Sequence, residues 1–237
     1  MHTVMISPTY QELESLPLLV AKLEDAGVDL LIVDDASPDG TGALADSLAS
    51  TRPWMHVLHR EGKDGLGAAY RAGFAWALAR DYDAIGQIDA DLSHPPDSIA
   101  DLQSALADGA DLAIGSRYIE GGGTVGWSRR RELLSRIGCT LTGRTLETRI
   151  RDVTGGFKLW RAEALRTIEV GSTGSQGFVF QVETTLRAER AGLTIREVPF
   201  WFHERAVGTS KMNAGIALEG IGRVLRLRRE LAVATTP

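Results

Sequence analysis

At 237 residues, 43% of them hydrophobic, the chain is long enough to bury a sizeable core as one α/β domain, with or without a subdomain. Its formal charge of -5 argues against a nucleic-acid binder, and the single Cys139 excludes an internal disulfide and a cysteine zinc site, so a reducing compartment is expected. No signal peptide is visible, and no apolar run reaches the roughly 18 residues that a membrane span needs.

HTVMIS (residues 2–7) reads as a short first strand that ends at Pro8. LESLPLLVAKLEDA (13–26) has the apolar spacing of a helix. DLLIVDD (29–35) is a nearly continuous buried strand, and SPDGTGALADSLAS (37–50) a turn followed by a helix. WMHVLHR (54–60) is a third strand, and GKDGLGAAYRAGFAWALAR (62–80) a glycine-rich loop opening into a helix. YDAIGQID (82–89) predicts a fourth strand, DSIADLQSALADG (97–109) a helix and DLAIGSR (111–117) a fifth strand. Such alternation implies a mainly parallel sheet covered on both faces. Beyond Arg117 the pattern loosens. IEGGGTVGWSRRRELLSR (119–136) predicts a flexible loop and the start of a basic helix, and RIRDVTGGFKLWRAEAL (149–165) a loop, a short strand and a helix. GFVFQVETTLRAERAG (177–192) is a helix, LTIREVPFWF (193–202) a strand, and AGIALEGIGRVLRLRREL (214–231) a helix part apolar and part arginine. The short gaps favour completion of one domain over a second one.

In an open parallel sheet, ligands sit beyond the carboxyl ends of the strands. Those ends carry Pro8 to Glu12, Asp34-Asp35, Arg60 to Lys63, Asp89-Ala90-Asp91 and Ser116-Arg117. Asp34-Asp35 is read equally well as turn and helix-cap chemistry. Asp89 and Asp91 are different: two carboxylates so close repel each other unless a cation sits between them. In extended chain they point to opposite sides, so a turn is required to bring both to one ion. No GxGxxG follows the first strand, and GKDG lacks the rest of a P-loop. Paired carboxylates at a strand end suit Mg²⁺ or Mn²⁺ that also binds substrate phosphates. The implied chemistry is departure of a nucleoside diphosphate, whose growing charge the metal neutralises.

PTYQELESLP, IVDDASPDGT, GKDGLGAAYRAGF, QIDADLSHPP, IGSRY, RRRELLSR, RDVTGGFKLWR and HERAVGTSK stand in this order from Pro8 to Lys211. Together they resemble the family 2 glycosyltransferases of the GT-A fold, and more narrowly the dolichol- or polyprenol-phosphate mannose synthases. The resemblance implies a Rossmann-like, mainly parallel central sheet flanked by helices, within a single GT-A domain over residues 1–237. Residues 1–117 would be the nucleotide-sugar-binding half, and 118–237 the acceptor-binding half with a C-terminal amphipathic helix. It also implies transfer of mannose from GDP-mannose to dolichyl or polyprenyl phosphate with inversion, with Mg²⁺ or Mn²⁺ as cofactor.

By the same resemblance Pro8, Tyr10 and Glu12 form the first nucleotide loop, Val33 and Asp35 line the guanosine pocket, and Lys63 reaches the nucleotide. Asp89, the backbone of Ala90, and Asp91 form the sugar-nucleotide and metal motif. Ser93 stands where the family often has glutamine, so its metal contact is direct, through water, or missing. Arg117 and Arg131 match arginines that hold the acceptor phosphate, and Arg205 and Lys211 a loop closing over the donor diphosphate and the phosphate acceptor. Asp91, Arg117 and Arg131 are the expected catalytic residues, with Asp91 organising metal and leaving group rather than acting as a base. Asp152 is read either as an acceptor-side group or as a turn cap, and His94 as a supporting group rather than a metal ligand. Trp160 and residues 200–202 are expected to pack.

A polyprenyl acceptor arrives in a bilayer, so a peripheral enzyme at the cytoplasmic face, assisted by a membrane-protein partner, is the working expectation. The last helix is read either as interfacial or as docked on the domain. The glycines at 121–123 beside the arginines at 129–131 suggest a mobile acceptor loop or an exposed linker. A UDP-glucose-dependent polyprenyl-phosphate hexosyltransferase is the alternative enzyme, and a non-catalytic nucleotide-sugar binder the alternative of another class.

Overall fold

A computed structural model describes residues 1–204. In it β1 (Thr3–Thr9), β2 (Asp29–Asp34) and β3 (Met55–His59) lie side by side and parallel, and β4 (Ala84–Gln87) pairs with the other edge of β1. With β5 (Leu112–Ser116), β7 (Lys158–Arg161) and β8 (Ile195–Pro199), the seven-stranded order is β3-β2-β1-β4-β7-β5-β8. The sheet is mainly parallel, as expected, but β7 runs antiparallel to both neighbours. A four-residue run such as KLWR carries no signal of direction.

Side chains alternate across the pleat, so each strand feeds two cores. Met5, Leu30 and Ile32 pack with α1 (Leu16–Leu23), α2 (Thr41–Ala49) and α4 (Ile99–Ala107) on one face. Val4, Ile6, Leu31 and Val33 pack with α3 (Leu66–Leu78), α6 (Ala162–Thr167) and α7 (Gly177–Arg190) on the other. Helix α1 begins at Leu16, later than its apolar spacing suggests, because Pro17 suits only the first turn. The Ser15 hydroxyl donates to the Glu12 carboxylate at 2.7 Å just ahead of it.

Three expectations are corrected in the second half. The supposed loop at residues 119–128 contains β6 (Gly123–Val125), which pairs in parallel with β9 (Trp201–His203). The glycines there serve close approach: a Cβ on Gly122 would lie 2.3 Å from the Ser116 carbonyl oxygen, and one on Gly123 2.6 Å from the Trp201 ring. The single strand expected at 193–202 is two. Pro199 ends β8 at the edge of the large sheet, where its missing N–H costs little. Phe200 donates its N–H to Ser116 and accepts one from Gly123, carrying the chain into the small sheet. Trp160 and Phe200 are buried, but Trp201 is 53% exposed and does not pack as expected.

The basic helix is α5 (Arg129–Leu146), capped by the Ser128 hydroxyl accepting from the Arg131 N–H at 3.3 Å. Among the described residues no helix is long and apolar enough to cross a membrane. The expected helix at 214–231, Arg205 and Lys211 lie outside the described residues.

Candidate active site

From β1 the chain steps outward to β2 and β3, then returns to place β4 on the other side. The loops following β1 and β4 therefore diverge and open a crevice at the carboxyl ends of these strands. Pro8, Tyr10 and Glu12 stand at one lip of it, Asp89, Ala90 and Asp91 at the other.

On the first lip, the Lys63 ammonium sits 3.6 Å from the centroid of the Tyr10 ring, so two expected nucleotide residues from different strand ends meet. Asp34 and Asp35 divide their work. Asp34 accepts from the Thr9 hydroxyl at 3.2 Å, the Ser37 N–H at 3.1 Å and the Ser37 hydroxyl at 2.6 Å, which is turn chemistry. Asp35 pairs with Arg60, which also reaches Asp64 at 3.0 Å. Burial pushes the Asp35 carboxyl up, against the pull of Arg60. Arg60 lies outside the expected site residues, and its place just after β3 is the sequence signal that marks it. The Val33 side chain is fully buried in the core against α3, so only its backbone lies near the crevice wall.

A turn also stands on the second lip. The chain turns at Ala90-Asp91, with Leu92 in the left-handed region at φ 64°. Two contacts hold this conformation. The Ser93 N–H donates to Asp91 Oδ1 at 3.0 Å, and the Asp89 N–H donates to His94 Nδ1 at 3.1 Å. Since Nδ1 accepts, the neutral ring carries its proton on Nε2. Burial lowers the His94 pKa, Asp89 and Asp91 opposing, and the ring stacks on Phe157 at 5.1 Å. His94 thus supports the turn as expected. Beneath it the buried Tyr70 hydroxyl stays protonated, first through burial and then through the charges of Asp89 and Asp91.

Among the described residues no three His, Cys, Asp or Glu side chains gather as a ready-made metal cage. The residues nevertheless fit Mg²⁺ or Mn²⁺. Ions of this kind are commonly held by one or two carboxylates plus substrate phosphates rather than by an all-protein cage. Asp89 and Asp91 are hard oxygen donors, and the Ser93 Oγ is buried with no hydrogen-bond partner among the described residues.

Past β5 the picture changes. Arg117 is buried and locked to Asp152: its Nε donates to Oδ2 at 2.7 Å, its Nη2 to Oδ1 at 2.6 Å, and its backbone N–H to Oδ2 at 3.0 Å. Burial opposes the Arg117 charge, but Asp152 more than offsets this and holds the guanidinium charged. The Asp152 carboxylate is therefore committed to Arg117. Arg131 is more open, pairing with Glu204 at 2.9 Å. The Trp127 indole links the two arginines, with their guanidinium carbons 5.7 and 4.2 Å from its ring centroid. Cys139 Sγ lies 3.0 Å from the Thr154 hydroxyl, and burial pushes its thiol up, so it stays protonated.

Lys158 lies outside the expected site residues, and a lysine within an apolar strand is the sequence signal that marks it. Its ammonium donates to the Gln181 carbonyl at 2.7 Å and to the Thr185 hydroxyl at 2.8 Å. Burial pushes it down to about 7, with Asp152 pulling the other way. Gln181 accepts from Gln87, and Gln87 from the Trp160 indole, both at 3.1 Å, so a buried polar chain runs under the end of β4.

Residues 4–169 match Glycosyl transferase family 2. Over 228 residues the chain is 46% identical to the undecaprenyl-phosphate mannosyltransferase of Micrococcus luteus, covering 95% of this chain and 93% of that one. It is also 46% identical over 225 residues to the polyprenol monophosphomannose synthase of Mycolicibacterium smegmatis, covering 94% of this chain and 85% of the other. Among solved structures, the mannosyltransferase PcManGT of Pyrobaculum calidifontis, in complex with GDP-Man and Mn²⁺, superposes with a TM-score of 0.68 at 16% identity. That likeness takes in 100% of this chain but 65% of the larger one, and it concerns the fold.

Proposed function

We propose that this chain, which belongs to glycosyl transferase family 2, transfers mannose from GDP-mannose to a polyprenyl phosphate, releasing GDP. What supports the reading most is the 46% identity, over nearly the whole chain, to two proteins named for polyprenyl mannosyl transfer. The crevice between β1 and β4 agrees with it.

In this reading the guanosine and diphosphate lie along the first lip, against Pro8, Tyr10, Glu12, the Val33 backbone, Asp35 and Lys63. Asp89 and Asp91 would hold Mg²⁺ or Mn²⁺, with Ser93 Oγ beside them. When bound, the cation neutralises charge growing on the leaving diphosphate. The Ser93 N–H fixes the Asp91 carboxylate and the His94 ring fixes the Asp89 backbone, so both are oriented before substrate arrives.

The acceptor phosphate is ionised near neutral pH, so its oxygen attacks the anomeric carbon without a strong base. The new bond forms from phosphate oxygen to carbon as the bond from carbon to the diphosphate breaks, and one in-line displacement inverts the centre. The task left to the protein is alignment and charge. Arg131 takes the acceptor phosphate. Arg117 has Nε and Nη2 committed to Asp152, leaving the two N–H donors of Nη1 for that phosphate. Arg205 and Lys211, outside the described residues, are assigned to the donor diphosphate and the acceptor by the family resemblance alone. The acceptor's lipid tail places the enzyme on a membrane as a peripheral protein.

Transfer of labelled mannose from GDP-mannose to polyprenyl phosphate, with Mg²⁺ or Mn²⁺ and with UDP-glucose in parallel, tests this. Lipid product from GDP-mannose alone is expected. Product from UDP-glucose alone would overturn the mannose assignment.

A further inference from the structure

Asp34 and Asp35 leave the same strand end, yet only one of them is used up by the fold. Asp34 engages both carboxylate oxygens with Thr9 and Ser37. Asp35 gives its backbone N–H to the Thr9 carbonyl at 3.1 Å, which pins it against the end of β1. Its side chain is 7% exposed and is held by Arg60, whose Nη1 donates to Oδ1 at 2.5 Å. Oδ2 accepts no hydrogen bond among the described residues and still reaches solvent. The part of Asp35 left open is therefore a carboxylate oxygen.

Arg60 is fixed from three directions. Its backbone N–H donates to the Asp34 carbonyl at 2.9 Å, which sets it beside the end of β2. Nη2 donates to Asp64 at 3.0 Å while Nη1 holds Asp35, so the guanidinium is stretched between two carboxylates. The two pairs are unequal. Asp64 is 76% exposed, so water screens its pair and leaves the one to Asp35 the stronger. A carboxylate as deep as Asp35 is pushed toward its neutral form by burial, and Arg60 is the first pull against that.

An ionised carboxylate is an acceptor only, with room for more than one donor. Oδ2 is open, and Oδ1 keeps a second lone pair beside the one that Arg60 uses. Such a group fits a partner with two adjacent N–H donors. On a nucleobase that is guanine, through N1–H and the 2-amino group. Uracil sets a single N–H between two carbonyl oxygens, which face the carboxylate's lone pairs. Adenine puts a ring acceptor next to its amino group.

We propose that Arg60 is a specificity-determining positioning residue: it holds the Asp35 carboxylate as an aligned anionic acceptor for the N1–H and 2-amino group of guanine. Arg60 acts through Asp35 and does not touch the base. The inference rests on the proposed function in that the donor is a GDP-sugar, and it adds how guanine is told from other bases.

The test is calorimetric binding of GDP, IDP and UDP to the full chain with Mn²⁺, because IDP differs from GDP only in lacking the 2-amino group. The unmodified chain should bind GDP about tenfold more tightly than IDP, as expected for one hydrogen bond to a charged group. Arg60→Gln should bring that ratio close to one and raise the KM for GDP-mannose, with kcat near the parent's. Arg60→Lys keeps the charge but not the planar fork and should give an intermediate ratio. Asp64→Asn should leave the ratio as it is. A merely structural Arg60 would weaken GDP and IDP together in Arg60→Gln and keep their ratio, which would overturn the proposal. Equal binding of GDP and IDP by the unmodified chain would overturn it too, and that outcome needs no variant to fold. A ratio kept in an Arg60→Gln chain that still makes mannosyl lipid overturns this inference alone, whereas preference of the unmodified chain for UDP over GDP overturns the GDP-mannose reading itself.

Discussion

The residues proposed for the donor and those proposed for the acceptor phosphate are held in different ways. On the donor side Asp35 and Lys63 meet Arg60 and Tyr10 across strand ends, but the proposed metal loop and the turn after β2 are set largely by near neighbours. Asp91 is held by Ser93, Asp89 by His94, and Asp34 by Ser37, all within five residues along the chain. On the acceptor side the partners are remote. Arg117 meets Asp152 35 residues on, and Arg131 meets Glu204 73 residues on. Local turns can hold the loop proposed for the metal in place, but the buried Arg117 keeps its charge through a carboxylate that the fold brings from far along the chain. The proposed metal loop is a set of turns, and Arg117 with Asp152 is a tertiary lock.

If that contrast is right, the largest effect on stability belongs to the acceptor side. Asp152→Asn leaves the buried Arg117 charge unpaired and should cost about 3–5 kcal/mol, read by urea denaturation. A loss below about 1 kcal/mol would mean that the pair is no lock. The donor side should instead lose activity. Asp91→Ala should lower mannosyl transfer by about 10²–10³-fold with an unfolding midpoint close to the parent's. A variant that unfolds would show that the turn is structural as well.

Lys158 sharpens the comparison from beneath. Its folded pKa, about 7, is depressed from the 10.5 of an exposed lysine. Between these values the unfolded chain holds a proton that the folded one does not, so stability should rise with pH from about 7 and level off near the unfolded value. The contribution is about 1.4 kcal/mol per pH unit inside that window. Subtracting the profile of Lys158→Met isolates it, since burial pushes the Cys139 thiol up and makes it act in the opposite sense above 9. Identical slopes would contradict the depressed value. The smallest structural effect is expected at Arg131, which is half-open and paired with an exposed Glu204. Arg131→Ala should change stability by less than about 0.5 kcal/mol yet raise the KM for acceptor, so a stability loss as large as that of Asp152→Asn would erase the distinction between the two arginines.

The first half of the fold was legible because β-α units repeat a short-range pattern: apolar strand, polar end, apolar-spaced helix. A turn at Asp89 to Asp91 could be expected from two aspartates alone, and the chain does turn there. The second half hid its structure in runs too short to carry a period. KLWR looks the same parallel or antiparallel, and the GGG of residues 121–123 reads as freedom until the Ser116 carbonyl and the Trp201 ring are seen pressed against it. Asp152 offered two readings of equal weight because nothing near it in the chain names Arg117.

From sequence alone came the α/β alternation, the strand ends that carry polar groups, and the paired aspartates that suit a divalent cation. These rest on periodicity and on the chemistry of neighbouring residues, which a linear chain displays. Only the tertiary structure decided the reversed β7, the commitment of Asp152 to Arg117, the depressed Lys158 and the pairing of Asp35 with Arg60. Each depends on which distant groups share a low-dielectric interior, and that is a property of packing rather than of order along the chain.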